Sequence, residues 1–589
     1  MVTLNDIENT DTTKFRLIGR SVLSYRFIIP HSAKLFVGDI LKITDTVKGY
    51  SFYAKVTDLV HESNFADERW DTRPFAEHFY GLGEDVFIGV EAVPLGFVDE
   101  HGVFKKPRTL PTKFSEVKIP EAEDFAFLTK VMGDIEVGVM RTGQGVLRDL
   151  LVKIPSRVLP QHMGVFATTG MGKSNFMKTF CASCMKMQKF GLLMVDPHGE
   201  YVRGGQSSTG ERTLGLVHYS AGMDGLAVFT ISESDRKKYS LNSLWLDYDD
   251  FRMTDLGLLY DLSPAQWDVV ESLDEFPGNE VIPFFLNANV TMLQEDVRTG
   301  QYTGPYPKIA EKLAAYHPGT LEVIQRRLRN IVQGNRKFFR ESGSCVTEIL
   351  RYLHDNKVVL IDIPRMGERS ELFILSMITR RIMHAHRTSA EEFGIGTEPT
   401  EQKKVLITIE EAQRVLGAGG SSTQIFRECA MEGRKFGVGL CVVTQQPKNI
   451  DQKVLAQINT FVIMGLGDRG DRDIIMGSAK QDLSRWQSRS RPSTRERQLS
   501  APSGFRSRSV PAFITMRIIL PGLTRSQKGI SGKGLTPSSL KKVFLRTKSS
   551  FRTRLNLLRV PCARTRRDAA DPFRISGGNF PGTVIPRTA

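Results

Sequence analysis

Eight residues, ATTGMGKS at positions 167–174, constrain this chain more than any other stretch. They follow the apolar run MGVF at 163–166 and open a helical pattern, KSNFMKTFCASCMKMQKF, so the local order is strand, glycine turn, helix. Gly170 and Gly172 let the backbone curl until successive N–H groups point inward, and the helix N-terminus adds its partial positive charge. Such a loop is suited to phosphate oxygens. Thr169, Gly170, Met171, Gly172 and Asn175 make up or flank the cradle. Lys173 has the charge and reach for the β and γ phosphates, and the Ser174 hydroxyl is a hard oxygen ligand suited to magnesium. Ala167 stands where the commonest form of this loop has glycine.

A phosphate loop that hydrolyses its ligand needs an acid to support the metal and a group to activate water. KKVLITIEEAQ supplies a strand, Val405–Ile409, ending in Glu410 and Glu411. Neighbouring side chains of a strand face opposite sides. Where the chain turns at the strand end, both carboxylates can serve one pocket, Glu410 at the magnesium shell and Glu411 on the water.

The rest of the chain divides by pattern. Residues 14–110 alternate short β-branched and aromatic runs with Gly, Asp and Asn breaks about every ten residues, which predicts a small antiparallel β-barrel or sandwich over 1–115. Compact apolar strands alternating with helices predict an α/β core with a parallel sheet over 116–204 and 346–484. A 3.6-residue period in pieces such as SPAQWDVVESL and TLEVIQRRLRNIVQ predicts a helical insertion over 205–345.

The formal charge of +15 on 589 residues suggests a nucleic-acid coat, but its distribution does not. Residues 485–589 hold 23 Lys and Arg against three acids, leaving the first 484 residues with 57 Lys and Arg against 62 Asp and Glu, a net charge of −5. The tail is rich in Ser, Arg, Thr and Pro and is expected to be disordered, with a nucleic-acid-binding arm as the functional alternative. Six scattered cysteines, a polar acidic start and the lack of a long apolar run place the chain in the cytoplasm with no membrane segment.

ATTGMGKSN, VDPHGEY at 195–201, EEA at 410–412, EGRKFGVGL at 432–440 and TQQP at 444–447, in that order, resemble the HerA branch of the FtsK/HerA ATPases, over roughly residues 10–480. The resemblance implies a RecA-like P-loop NTPase core behind an N-terminal β-barrel of the type shared with ATP synthase subunits. It also implies ATP and Mg2+ as cofactors, a homohexameric ring with ATP between subunits, and double-stranded DNA moved through the pore, with a nuclease of the NurA kind or another effector as partner. By the same resemblance Lys173 and Ser174 bind phosphate and magnesium, Glu410 supports the metal and Glu411 positions water. Arg434 is the arginine finger that completes a neighbour's site, Gln445 the γ-phosphate sensor, and Glu200 a second polar contact near the nucleotide. Such fingers contribute about 10³–10⁵ in rate. Rival readings are an ATP-gated scaffold of a defence complex and a secretion or conjugation ATPase.

Several residues depart from the family pattern. Gln161 stands where some relatives have a second arginine, Gln413 replaces the usual His after EEA, and Gln446 replaces the usual Arg of QRP. The pattern fades after about Ser484, which suggests an out-of-frame or truncated ending. Cys181 and Cys184 share one helix face with no second pair or suitably spaced histidines and read as core rather than a zinc or redox site. His384 and His386 at i, i+2 on a helix point apart and read as surface or core. The basic stretch 325–337 reads equally as a solvated face or a phosphate-contacting surface, and GAGGSS at 417–422 as a nucleotide-responsive loop or a linker.

Overall fold

A computed structural model describes residues 15–478 apart from short stretches at 18–20, 31–32, 64–85, 130–131, 144–145, 207–211, 220–221, 394–402 and 418–423, together with 497–499 and 514–517.

The N-terminal strands alternate buried and half-buried positions, as in Tyr25–Pro30, and so make a sheet with one wet face. Seven strands pair antiparallel, and the strands Tyr25–Pro30 and Val86–Val98 also pair with each other, so that six of the seven run in a closed cycle. Leu17, Phe27, Ile43, Phe52 and Val90 fill its interior. The predicted boundary at residue 115 falls too early. Glu116–Lys118 is a strand of this sheet, pairing with both Phe15–Leu17 and Ile40–Asp45 and burying Val117. Three residues with one inward side chain are too short to show a period in sequence.

The second sheet is built differently. Met163–Ala167, Gly191–Asp196, Val358–Asp362, Val405–Ile409, Val438–Thr444 and Thr460–Met464 are buried at every position, the mark of parallel strands covered on both faces. One face packs Val165, Ala167, Leu192 and Met194 under the helix Lys173–Met187, and the other packs Phe166, Leu193 and Val195 toward the helical region. The parallel order across the sheet is Leu226–Thr230, Val358–Asp362, Gly191–Asp196, Val405–Ile409, Val438–Thr444, Met163–Ala167, Thr460–Met464. The two motifs picked from the sequence therefore lie one strand apart, with Val438–Thr444 between them.

Two further expectations differ here. Leu226–Thr230 lies within the span predicted as a helical insertion, yet it pairs in parallel with Val358–Asp362, and Asn242–Ser243 pairs beyond it. After the short helix Glu233–Tyr239, the helices of this span run from Leu256–Leu259 to Pro318–Gly334. The run LAVFT is short and apolar, and a partner more than a hundred residues later decides that it is a strand. The tail also differs from the disordered expectation at two stretches. Arg497–Leu499 and Ile514–Arg517 pair with each other and join Thr460–Met464 to Ile135–Arg141. Backbone groups at that sheet edge find partners in these strands.

Candidate active site at the strand ends

The parallel strands deliver their C-terminal ends to one edge, and the candidates Lys173, Glu410, Glu411 and Gln445 gather there. The loop after Met163–Ala167 turns through Gly170 and Gly172, with φ of 79° and 87°, conformations that side chains with a Cβ rarely adopt. Helix Lys173–Met187 then starts on Gly172 with no side-chain cap, so its first N–H groups are left for a ligand. Nothing lies within 4 Å of a Cβ built on Gly170. Thr168 anchors the loop by donating from Oγ1 to the Gly465 carbonyl at 2.6 Å. Met171 lies against Gly465.

Lys173 points across the cradle. Its Nζ is 3.1 Å from Oε1 of Glu411 and 3.5 Å from Oε2 of Glu410, so both predicted carboxylates share one cation. Alternation along a strand would forbid this. Glu411 escapes it by adopting the left-handed backbone conformation, φ 45° and ψ 45°, which turns the chain straight after Ile409.

The two carboxylates have different surroundings. Glu410 is largely buried, and burial pushes its carboxyl up from the ordinary range against the opposing pull of Lys173 and a hydrogen bond from Tyr201. Tyr201 Oη donates to Glu410 Oε1 at 2.5 Å. Burial also acts to raise Glu411, but it is outweighed by a hydrogen bond from Gln413, then by Lys173 and Gln445, so that this carboxyl sits below its ordinary value. Gln413 Nε2 donates to Oε2 at 2.7 Å and Gln445 Nε2 to Oε1 at 3.0 Å. Gln413 in turn accepts from Thr444 Oγ1 at 2.6 Å, and Gln445 accepts from Thr169 Oγ1. A chain of hydrogen bonds thus runs from Thr169 of the glycine loop through Gln445 to Glu411.

Glu200, Ser174, Asn175 and Arg434 are placed differently. The Glu200 side chain is exposed, and its backbone N–H donates to Asp196 at 3.1 Å. Asp196 is buried and also accepts from the N–H groups of Tyr201 and Val202, both at 2.9 Å; burial, with Asp362 nearby, raises its pKa to about 6 despite those bonds. The effect of this fold-back is to aim Tyr201 at Glu410, so the member of VDPHGEY that enters the site is its last residue. Sequence reading missed Tyr201 and took Gln413 for a mere departure; the motif itself, and the flagged substitution, were the available signals. Ser174 and Asn175 are half-buried at the start of the helix. Arg434 is exposed on the turn Gly433–Phe436, away from the cluster around Lys173.

The remaining candidates sort themselves by burial. Cys181 and Cys184 are buried in the core, and burial pushes both thiols up. His384 is exposed and His386 buried. In the basic stretch, Arg327 is taken up by Gln266 and the Asp261 carbonyl, while Arg326, Arg336 and Lys337 are exposed. Of GAGGSS, all but Gly417 lies outside the described residues.

An uncapped helix start behind a glycine turn, a lysine and two carboxylates at the edge of a parallel sheet define a P-loop ATP hydrolase. The model of the HerA helicase central domain matches residues 135–382. The DNA double-strand break repair helicase HerA of Pyrococcus furiosus is 22% identical over 502 residues, covering 78% of this chain and 84% of the relative. The protein of the same name from Saccharolobus solfataricus is 22% identical over 435 residues, covering 72% and 77%. Among solved structures, the conjugative coupling protein TrwB superposes with a TM-score of 0.40 at 10% identity, covering 69% of this chain and 94% of that one. Across residues 135–382 the chain is thus similar to the central domain of HerA helicases.

Proposed function

We propose that this chain is an ATP-driven translocase of double-stranded DNA, working as a homohexamer with a nuclease or another effector. The observation that carries the proposal is the separation of two charges. Lys173 is committed to the carboxylates of its own pocket, and Arg434 stands exposed on a different turn. A guanidinium is suited to the spread charge of a phosphoryl transition state, so a second subunit is the natural recipient.

The residues present fit ATP and magnesium, since the cradle offers uncapped N–H groups and an ammonium beside two carboxylates. The backbone N–H groups at 170–175 and Lys173 would hold the phosphates, with Ser174 and Glu410 on the metal side. Bound magnesium supplies neutralisation of phosphoryl charge. Glu411, held ionised by Gln413, Lys173 and Gln445, orients water and takes its proton. Gln445, joined to Thr169 and Glu411, reports the state of the phosphate end to the loop. Glu200 has no bond into this cluster and is proposed as an outer polar contact only.

On this reading the closed N-terminal cycle of strands is the small HerA-type barrel, and the helices from Leu256 to Gly334 are the insertion. No helix among the described residues is long and apolar enough to cross a membrane, and we place the working ring in the cytoplasm. DNA would be held by phosphate contacts, so binding falls steeply with salt. The test measures ATPase rate with and without linear duplex alongside particle mass. Duplex stimulation in a six-subunit particle is expected. A monomer that turns over ATP at full rate, or a ring indifferent to duplex, overturns the reading, and the latter result favours a protein-moving ATPase or an ATP-gated scaffold.

A further inference from the structure

The turn bearing Arg434 is gripped by the long helix Glu368–Phe393 through two adjacent residues. His386 is buried, and its Nδ1 lies 2.9 Å from the Phe436 carbonyl oxygen. A carbonyl only accepts, so Nδ1 carries the proton and Nε2 of the neutral ring keeps its lone pair. That nitrogen is 3.3 Å from Nε2 of His354, at the end of helix Val346–His354, which is therefore the donor. The next residue, Arg387, has its guanidinium 5.5 Å from the centre of the Phe436 ring. Arg387 also pairs with Glu428 and, at 3.1 Å, with Glu432, both on the helix Gln424–Glu432 that runs into the turn.

The backbone is fixed on either side of Arg434 as well. A Cβ on Gly433 would lie 2.6 Å from the Val438 carbonyl oxygen, and Gly437 holds a φ of 75°. The turn is thus clamped through its main chain and its aromatic ring while the guanidinium is left in solvent.

We infer that His386 is a positioning residue for Arg434, setting through the Phe436 carbonyl the direction in which the guanidinium leaves the subunit. It therefore serves the nucleotide pocket of the neighbouring subunit and leaves its own untouched. This rests on the proposed action of Arg434 in trans.

The test uses the full-length chain in pure and mixed rings. His386→Ala lowers kcat roughly tenfold, the scale of one lost hydrogen bond, with KM for ATP and particle mass unchanged. Mixing His386→Ala with Lys173→Ala subunits restores turnover, because an intact phosphate loop then meets an intact Arg434. His386→Asn, whose side-chain nitrogen takes the place of Nδ1, keeps most of the rate, whereas His386→Gln, which mimics Nε2, does not; this pair decides the matter if the alanine variant fails to assemble. Full activity in His386→Ala, an effect on KM instead of kcat, or equal losses in the Asn and Gln variants would overturn the inference. Mixing Arg434→Ala with Lys173→Ala separates the two levels. Rescue there without rescue of His386→Ala sinks only the role of His386, and no rescue in either sinks the action in trans together with it.

Discussion

The pocket around Lys173 and the turn around Arg434 each present a cation, and they are built in opposite ways. Lys173 is surrounded by acceptors: two carboxylates within 3.5 Å, themselves tied to Tyr201, Gln413 and Gln445. Arg434 has its backbone clamped and its charge exposed. The first arrangement completes itself within one chain, and the second needs an anion from outside. On the proposed reading, Arg434 of one subunit supplies what the Lys173 pocket of the next still lacks, and turnover becomes a property of contacts between subunits.

This contrast can be broken at either side. The largest effect is expected from Arg434→Ala, which leaves nucleotide binding by the separate subunit intact and lowers turnover by about 10³–10⁵. Loss of nucleotide binding in a titration would show that Arg434 belongs to its own pocket. Glu411→Gln comes next: bound ATP persists while steady-state hydrolysis falls about 10²–10⁴, the range for a lost general base. A variant that hydrolyses at near the parent rate would move the base elsewhere.

The pH dependence sharpens the description of the pocket. Asp196 is raised to about 6 from an ordinary 3.8, so its protonated form is favoured in the fold. Its stabilising contribution is full below about 4 and is lost as pH rises through 6. Urea unfolding at several pH values should show the parent losing stability relative to Asp196→Asn across that window, by on the order of 3 kcal/mol. A pH-independent difference would mean that the three N–H bonds already hold Asp196 ionised. The smallest effect is expected from Tyr201→Phe, which removes one hydrogen bond to Glu410 and costs about 0.5–1.5 kcal/mol in transition-state binding, read as a several-fold fall in kcat/KM with the fold intact by thermal melt.

The legible features were local ones. A glycine turn between strand and helix and two acids after an apolar run carry their meaning within a dozen residues and point to Lys173, Glu410 and Glu411, whereas Arg434 is singled out only by the family resemblance of EGRKFGVGL. Tyr201 escaped because its reach depends on Asp196 folding the loop back, a long-range consequence of burial. Gln413 was noticed only as a mismatch, although it is the donor that holds Glu411. LAVFT and the tail strands became strands through partners far away in sequence. His384 and His386 were rightly expected to point apart, yet nothing local could tell that the buried one meets the Phe436 carbonyl.

Glu411 also reveals what the site costs the fold. A long side chain in the left-handed region is disfavoured by about 1–2 kcal/mol, whereas asparagine is better tolerated there. Evolution toward heat resistance alone would tend to replace this residue, and selection for work must oppose that drift. A library screened only for survival of heating should accumulate Asn or Gly at this position, yielding hardier proteins that can no longer do their job.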